Sequence, residues 1–376
     1  MVRRSMGVEE EFLLVDRHDG RVRAAAAAAA FGVTASGLGE GSADGPVGEG
    51  TVEPELQLQQ IETNTEPCMS LVELRHQLRK ARRQASDTAR AAGVEIAALG
   101  TSPLPADTAI TPTPRYQRIR ERFGLLAEEQ LTCGCHIHVS VESDEEGVAV
   151  LDRIRPWLAP LLALSANSPF WRGEDSQYAS YRAQVWSRWP SAGPTELFGS
   201  AEAYHNTTRA MTASCTLLDN AMIYFDARLS ERYPTVEVRL ADVCMDADDA
   251  VLLAALTRAL VHTAVQHWRD GQPPGAARVE LLRLASWRAS RDGLDGELLD
   301  PLTHRPVPAD TAVRALLAHV RDALEASGDL AEVERLLATL LRRGNGARQQ
   351  RATCARTGCP RDVVAEAVRR TVNWLA

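Results

Sequence analysis

The sequence of 376 residues has a single lysine, Lys80, among its 42 basic residues. A phosphate-binding loop of the P-loop type depends on a lysine that contacts the nucleotide phosphates, so this type of site is excluded. If the protein acts on phosphates, arginine side chains must bind them.

Long apolar runs are also absent. No stretch of about 18 apolar residues is present, which predicts a chain that does not span a membrane. The basic start MVRRS is not followed by an apolar signal core. The net charge of −8 argues against a surface that binds nucleic acid. We therefore expect neither a membrane nor a nucleic acid as a partner.

Cysteine is scarce, with seven residues scattered along a long chain. An odd, scattered set does not form a disulfide framework, and reduced thiols of this kind are typical of cytoplasmic proteins. The hydrophobic content of 45% is ordinary for a globular protein. We expect a cytoplasmic globular protein.

The apolar pattern predicts strands and helices without regular βαβ alternation, which favours an α+β fold with a largely antiparallel sheet. Strands are predicted at GVEEEFLLV, through Leu56 and Leu58, at TCGCHIHVSVES and as a hairpin in NAMIYFDARLSERYPTVEVRLADV. Helices are predicted at 24–30, from a cap at Ser70, at 116–123, at 147–166, and over DADDAVLLAALTRALVHTAVQHW. Loops are predicted at 32–50 and, rich in aromatic residues, at 167–198. We expect one domain over 1–376, mostly helical from about 279.

Glu9 and Glu11 lie two residues apart on the first predicted strand. Alternate residues of a strand share a face, so these carboxylates point the same way and Glu10 points the opposite way. Like charges on one face repel unless a cation lies between them, and a hard divalent ion suits carboxylates. A solvated strand face is the alternative. If Glu9 and Glu11 face metal ions and Glu10 does not, Glu10→Gln should be far milder than a change at either neighbour.

Glu55 and Glu62 form a second acidic pair, in VEPELQLQQIETNTEP. Their odd separation places them on opposite faces of a straight strand. They could share one cleft only if the chain bends, bulges or changes strand between them. Taken alone, this segment could equally carry surface charge.

The motif CGCHIHV places His136 and His138 on one strand face and Cys133 and Cys135 on the other. This alternation argues against one zinc site built from all four side chains. The histidines could join the carboxylates, or they could be two satisfied, half-buried residues. A zinc hydrolase built on this motif is a weaker alternative.

Glu237 and Arg239 share a face of the strand in YPTVEVRLAD, between core residues Val236, Val238 and Leu240. Such a pair is commonly a salt bridge. It also suits a metal-bound nucleotide, since the carboxylate can hold the metal and the guanidinium a phosphate oxygen.

Arg182 lies in DSQYASYRAQVWSRWP, among Tyr178, Ser180, Tyr181 and Trp186. A guanidinium in an aromatic and hydroxyl setting suits capture of a substrate carboxylate through two hydrogen bonds. An arginine packed for structural reasons is the alternative.

Together these strands would gather five or six carboxylates and a histidine on one face. Two or three Mg²⁺ or Mn²⁺ ions would remove the repulsion. Several hard metals with arginines nearby suit a nucleoside triphosphate and phosphoryl transfer.

In this order, the motifs resemble the glutamate–cysteine ligase type 2 family, or carboxylate–amine ligases, of the glutamine-synthetase-like superfamily. The resemblance covers nearly the whole chain and rests on GVEEEFLLVD, PELQLQQIET, CGCHIHVSV, ANSPFW, YASYR, YPTVEVRLADV and LDGELLDPLT. It implies a curved antiparallel sheet that forms a funnel backed by helices. It also implies that ATP phosphorylates the γ-carboxylate of glutamate and that an amine such as cysteine then displaces phosphate.

The resemblance also implies residue roles. Arg239 would contact the transferring phosphoryl group, Arg182 the substrate carboxylate, and His138 the acceptor site, with Tyr178 and Ser180 as looser substrate contacts. The implied metal ligands are Glu9, Glu11, Glu55, Glu62, His136 and Glu237.

Other functions on the same fold remain open from the sequence. These are a ligase or kinase for a different carboxylate or amine, and a non-catalytic ATP-binding relative. The motif IETNTEP carries an additional acid, Glu66, to which the resemblance gives no role. We expect a homo-oligomer, with a dimer as the favoured state, from the long helices available for pairing.

Overall fold

The computed structural model describes residues 3–26, 29 and 52–373. The predicted loop at 32–50 and part of the predicted helix at 24–30 lie outside these residues. The described strands are β1 (Met6–Val15), β2 (Val52–Pro54), β3 (Gln60–Asn64), β4 (Glu95–Ala97), β5 (Gly134–Ser140), β6 (Phe170–Trp171), β7 (Glu174–Asp175), β8 (Ala227–Leu229), β9 (Thr235–Asp242), β10 (Glu297–Leu299) and β11 (Pro306–Pro308).

The helices lie mainly between and after these strands. They are α1 (Leu71–Ala91), α2 (Pro114–Phe123), α3 (Leu125–Glu128), α4 (Asp144–Ile154), α5 (Leu158–Ser165), α6 (Tyr181–Trp186), α7 (Ala201–Ala213), α8 (Ala247–Arg269), α9 (Val279–Asp292), α10 (Ala309–His319), α11 (Arg321–Ser327), α12 (Leu330–Arg343), α13 (Gly346–Thr357) and α14 (Pro360–Thr371), with short 3₁₀ turns at Arg155–Trp157 and Asn220–Met222.

One seven-stranded sheet organises the fold. Its order is β2-β3-β1-β5-β9-β8, with β4 paired to the far end of β1, and all its described pairings are antiparallel. A register shift between Cys135 and Ile137 interrupts the pairing of β5 with β9, and such bulges bend a sheet. The predicted α+β fold with a curved, largely antiparallel sheet is confirmed.

The two faces of the sheet differ in chemistry. Met6, Val8 and Phe12 of β1 are buried on one face, where α1, α4, α5 and α8 pack against the sheet. Residues of opposite parity face the other side, and they include Glu9, Glu11, His136, His138, Glu237 and Arg239. Strand alternation therefore separates the hydrophobic core from the polar face. Among the described helices, none is both long and apolar enough to cross a membrane.

Most predicted elements are present, and the exceptions have local causes. The segment predicted as one helix over 147–166 is divided into α4, a 3₁₀ turn containing Pro156, and α5, because proline cannot donate the helical hydrogen bond. Residues 55–59, predicted as strand, form the turn between β2 and β3. The predicted loop at 167–198 contains the β6–β7 hairpin and helix α6.

Helix α1 begins as its sequence predicts. The Ser70 hydroxyl accepts a hydrogen bond from the amide of Glu73 at 3.1 Å. The Glu73 carboxylate in turn accepts one from the amide of Met69 at 2.8 Å. Reciprocal bonds of this kind satisfy amides that the first helical turn leaves free.

Glu10 points away from Glu9 and Glu11, as predicted, but it is not solvated. It is 1% exposed and forms a two-pronged ion pair with fully buried Arg82, at 2.5 and 2.8 Å. Arg82 also donates to the carbonyl oxygens of Cys244 and Met245. The pair thus ties β1 to α1 and to the segment after β9. The sequence-based expectation of a mild Glu10 substitution needs correction, because this carboxylate has a structural partner.

Glu10→Gln should destabilise the fold because Arg82 would keep its charge in a buried site without the carboxylate charge opposite. We expect the free energy of unfolding, measured by urea denaturation, to fall by about 3–5 kcal/mol. Asp310→Asn is the matched control, because it breaks an exposed i,i+4 pair with Arg314 and should change stability by about 0.5 kcal/mol or less. Similar losses in both variants would contradict this role for Glu10.

Candidate metal and nucleotide site

Strand register brings the predicted site residues together. Because neighbouring strands are antiparallel, residues directly opposite each other lie side by side on one face. The directly opposite pairs on the polar face are Glu11 with Glu62, Glu9 with His136, His138 with Glu237, and Glu237 with Arg228.

Glu9 lies between the two histidines. Its carboxylate is 3.2 Å from Nδ1 of His136 and 3.1 Å from Nε2 of His138. Although burial opposes ionisation, these hydrogen bonds hold the pKa of Glu9 well below its usual value. Glu9 is therefore an ionised carboxylate at neutral pH.

Glu11, Glu55 and Glu62 form an acidic group beside this pair. The turn at 55–59 reverses the chain, so Glu55 and Glu62 converge despite their odd separation. Burial, followed by the charge of Glu11, raises the pKa of Glu55 to about 7. Burial and the neighbouring Glu9 and Glu55 raise the pKa of Glu62 well above its usual value. The protein alone does not neutralise this cluster.

Three sets of side chains have the composition and spacing of metal sites. In each set the ligand atoms lie within 4.8 Å of one another; the sets are Glu9, Glu62 and His136; Glu9, His138 and Glu237; and Glu11, Glu55 and Glu62. Carboxylate-rich sets suit Mg²⁺ or Mn²⁺. Nε2 of His136 is buried and has no hydrogen-bond partner among the described residues, so it is available as a ligand. These residues therefore fit two or three divalent cations.

Two arginines lie beside the ligand sets. Nε of Arg228 is 2.9 Å from one oxygen of Glu237, and Arg239 binds the other oxygen. Burial alone would raise the pKa of Glu237, but these two guanidinium groups lower it to about 2. Both arginines line the cavity and can turn to an anionic ligand.

The cavity above the sheet has a volume of about 200 Å³, and Glu9, Glu11, Glu55, Glu62 and His136 line it. Its walls contain residues that sequence reasoning did not assign. The aromatic loop at 167–198 and the hairpin that pairs Arg228 with Glu237 could have indicated some of these residues from the sequence. Nothing in the sequence marked the residues of α2. The additional lining residues are Arg115, Tyr116, Trp186, Trp189, Tyr224 and Arg228.

The structure does not bring three predicted substrate-binding residues to the cavity. Arg182 is 1% exposed and donates to the carbonyl oxygen of Leu240 at 3.2 Å. Ser180 caps α6 and donates to Asp242 at 2.8 Å. Tyr178 packs against aromatic side chains outside the cavity. Buried partners in the chain thus occupy Arg182 and Ser180.

His138 lies next to the cavity as a member of a ligand set, with Nδ1 2.9 Å from the hydroxyl of Thr235. Cys135 is buried in the core on the side of β5 opposite the histidines, as strand alternation predicts, whereas Cys133 is buried before β5 and its Sγ accepts a hydrogen bond from Gln60 at 3.4 Å. The geometry therefore does not assemble the Cys and His side chains into a single zinc site. Glu66 lies outside the cavity, 4.0 Å from Lys80.

Comparisons with known proteins match nearly the whole chain to one family. The family model described as glutamate-cysteine ligase family 2 (GCS2) matches residues 5–373. A Streptomyces coelicolor protein, provisionally named glutamate–cysteine ligase 2, is 54% identical over 98% of this chain and 99% of its own length. A Streptomyces avermitilis relative with a similar provisional name is 52% identical over the same shares.

Two solved structures share the fold at low sequence identity. The glutamate–cysteine ligase of Francisella tularensis, in complex with AMP, is 13% identical with a TM-score of 0.70 and covers 100% of this chain and 89% of its own. A bifunctional glutathione synthetase from Pasteurella multocida is 14% identical with a TM-score of 0.65, over 98% of this chain and 52% of its own.

Glu62→Gln should reduce metal binding, because Glu62 belongs to two of the three ligand sets. In EDTA the variant should melt at the same temperature as the wild type or higher, since the neutral amide replaces a carboxyl whose ionised form the buried cluster disfavours. On adding Mg²⁺ its melting temperature should rise by several degrees less than that of the wild type, by the linkage between binding and stability. Glu66→Gln is the control, four residues further along and outside the sets. Equal Mg²⁺ responses in Glu62→Gln and wild type would refute the site.

The pH dependence of the metal-free protein offers a second measurement. The pKa of Glu55 is raised from 4.5 to about 7 on folding, so the folded state retains a proton that the unfolded state releases. Stability in EDTA should therefore decrease as pH rises from about 4.5 to 7. Glu55→Gln should flatten this decrease in urea unfolding curves, whereas Glu66→Gln should not. An unchanged pH slope in Glu55→Gln would count against the acidic cluster.

Proposed function

Since the chain belongs to glutamate–cysteine ligase family 2, and is thus an ATP-dependent carboxylate–amine ligase, we propose that glutamate is its acid substrate and cysteine the first amine to test. The observation that carries this proposal is the convergence of three ligand sets, which share Glu9 and Glu62, beside Arg228 and Arg239. A nucleoside triphosphate needs both divalent cations and guanidinium groups.

The three ligand sets would hold Mg²⁺ or Mn²⁺. When bound, the ions supply positive charge to the phosphate oxygens of ATP. The residues that orient these ligands belong to the protein itself. The amide of Gly134 donates to Glu11 at 2.6 Å, and Thr235 fixes the ring of His138. Such bonds hold a ligand atom in place before the ion arrives.

In the proposed first step, a γ-carboxylate oxygen of glutamate attacks the γ-phosphorus of ATP. The bond from this phosphorus to the β,γ-bridging oxygen breaks, and ADP leaves with that oxygen. Arg239 donates hydrogen bonds to the transferring phosphoryl group, while Glu237 orients its guanidinium. The product is an acyl phosphate.

In the proposed second step, the nitrogen of the amine attacks the carbonyl carbon of the acyl phosphate. The carbon–oxygen bond to phosphate breaks, phosphate leaves, and the nitrogen loses a proton as the amide forms. The cavity above the sheet is partly open, and its walls would limit the access of water to the same carbon. Its aromatic wall contains Trp186, Trp189 and Tyr224, whose rings contact one another at centroid distances of 4.8 and 5.5 Å.

Arg115 is our candidate for the contact to a substrate carboxylate. It lines the cavity and is held by Asp219 through two hydrogen bonds of 2.8 and 3.0 Å. A guanidinium fixed in this way can still offer its remaining N–H group to an anion. Arg182 would act instead as a positioning residue, since it binds the backbone of β9 next to Arg239.

The decisive experiment measures ADP and phosphate separately, with ATP, Mg²⁺, glutamate and a panel of amines that includes cysteine. A ligase releases phosphate much faster when its amine is present. Stoichiometric formation of a stable phosphorylated acid would show a kinase instead. Absence of ADP formation with every acid and amine tested would overturn the proposed function.

Arg239→Lys should lower kcat by about 10²–10³-fold, because lysine cannot reproduce the planar pair of donors. Glu11→Gln and Glu237→Gln should abolish turnover. Arg321→Lys is the control, since Arg321 pairs with Glu325 and Glu334 on the surface and should not affect kcat. Normal turnover in the Glu11 and Glu237 variants would contradict the assignment of the site.

A further inference from the structure

Helix α9 presents an apolar stripe to solvent. Leu281, Leu284 and Trp287 are 36%, 56% and 47% exposed. Their spacing of three places them on one side of the helix. The core side of the same helix is formed by Leu282, Ala285 and Ala289, which are buried. The exposed side is therefore a second apolar surface, with no cover among the described residues.

An aromatic side chain extends this stripe. The ring of Tyr178 lies 6.3 Å from that of Trp287 in an edge-to-face arrangement, and Arg291 lies over Tyr178 at 5.4 Å. We call Leu281, Leu284, Trp287 and Tyr178 the α9 face. A cluster of large exposed apolar residues is typical of an interaction surface. An interaction surface here would also give a role to Tyr178, which does not line the cavity.

We propose that the α9 face is the interface of a two-fold symmetric dimer, in which α9 packs antiparallel against α9 of a second copy and Leu284 lies on the axis. In such a pair, a residue before the centre meets the residue equally far after it. Leu281 then contacts the partner's Trp287, and Leu284 contacts the partner's Leu284. One apolar stripe thereby covers the other.

The charged residues on either side of the stripe agree with a two-fold axis at Leu284. Glu280 and Arg288 each lie four residues from Leu284, so Glu280 faces the partner's Arg288, and the contact occurs twice. Their side chains are 60% and 30% exposed, and each has an ion-pair partner in its own chain, Arg278 and Glu297. Parallel packing would instead put Glu280 against the partner's Glu280. Charge complementarity thus favours the antiparallel pair and a second copy over an unrelated partner.

The proposed interface lies behind one wall of the cavity. The carbonyl oxygen of Ser290, on α9, accepts hydrogen bonds from the amides of Ala179 and Ser180 at 2.8 and 2.9 Å. Its hydroxyl accepts one from Gln184 of α6 at 2.7 Å. Trp186, which lines the cavity, is at the end of α6. The partner would thus support the helix that holds this wall.

Light scattering after size exclusion tests the dimer. The wild type should have twice the mass of one chain at micromolar concentration. Leu284→Glu, which places two carboxylates on the axis, should weaken association at least tenfold, so that one chain mass is observed. Because Leu284 is exposed, the variant should keep the wild-type circular dichroism. Leu302→Glu, at a 71% exposed residue outside α9, should leave the mass unchanged.

Charge exchange tests the pairing. Glu280→Arg should weaken the dimer because it sets two arginines against each other, and Glu280→Arg with Arg288→Glu should restore it. If Glu280 and Arg288 contributed only to the fold of one chain, the double exchange would not restore the dimer.

A cysteine on the axis tests the geometry. In a Cys215→Ser background, which removes the exposed native thiol, Leu284→Cys should form a disulfide-linked dimer under mild oxidation. Leu302→Cys should not. A monomeric wild type would overturn the proposal, and so would a dimer that persists in Leu284→Glu or fails to cross-link through Leu284→Cys.

Discussion

Mutual repulsion among carboxylates on one face of a sheet is the constraint around which this structure is built. Glu11 and Glu62 are directly opposite on neighbouring strands, where like charges destabilise pairing. The strands stay together because their other face is buried under α1, α4, α5 and α8. Hydrophobic burial therefore holds an acidic surface in a geometry that it would not adopt alone. The proposed binding of cations would release energy stored in this way, and metal binding would then be coupled to stability.

Negative and positive side chains occupy different parts of the cavity. Most of the acids lie on the strands at its base, with Glu55 in the turn after β2, whereas Arg115 and Arg228 approach from α2 and from the edge strand β8. A ligand that carries divalent cations on one side and bare anionic oxygens on the other matches this division. With one lysine in the chain, the guanidinium group supplies the fixed positive charge on the wall. Guanidinium groups suit this role because each can bind a carboxylate of the protein and a ligand together.

The sequence predicted those parts of the site that follow from strand alternation. The shared faces of Glu9 and Glu11, of His136 and His138, and of Glu237 and its arginine neighbour need only a period of two. Convergence of Glu55 depends on a turn, and turn position is poorly encoded by apolar pattern. The α2 residues reach the cavity through tertiary packing, for which one sequence holds no local signal. Arg182 was assigned from its aromatic surroundings, but composition cannot distinguish a buried structural arginine from one that faces a ligand.

Strand β1 carries ligands on one face and the Glu10–Arg82 pair on the other, so a slip of one residue in its pairing would exchange them. Glu9 and Glu11 would then turn towards the apolar layer, where only one of them could take the place of Glu10 opposite Arg82. A chain in that register would bury at least one carboxylate without a partner and would turn Val8 and Phe12 towards the polar face. The charged residues of β1 thus help to specify its register, and the proposed metal ligands also disfavour a misaligned sheet.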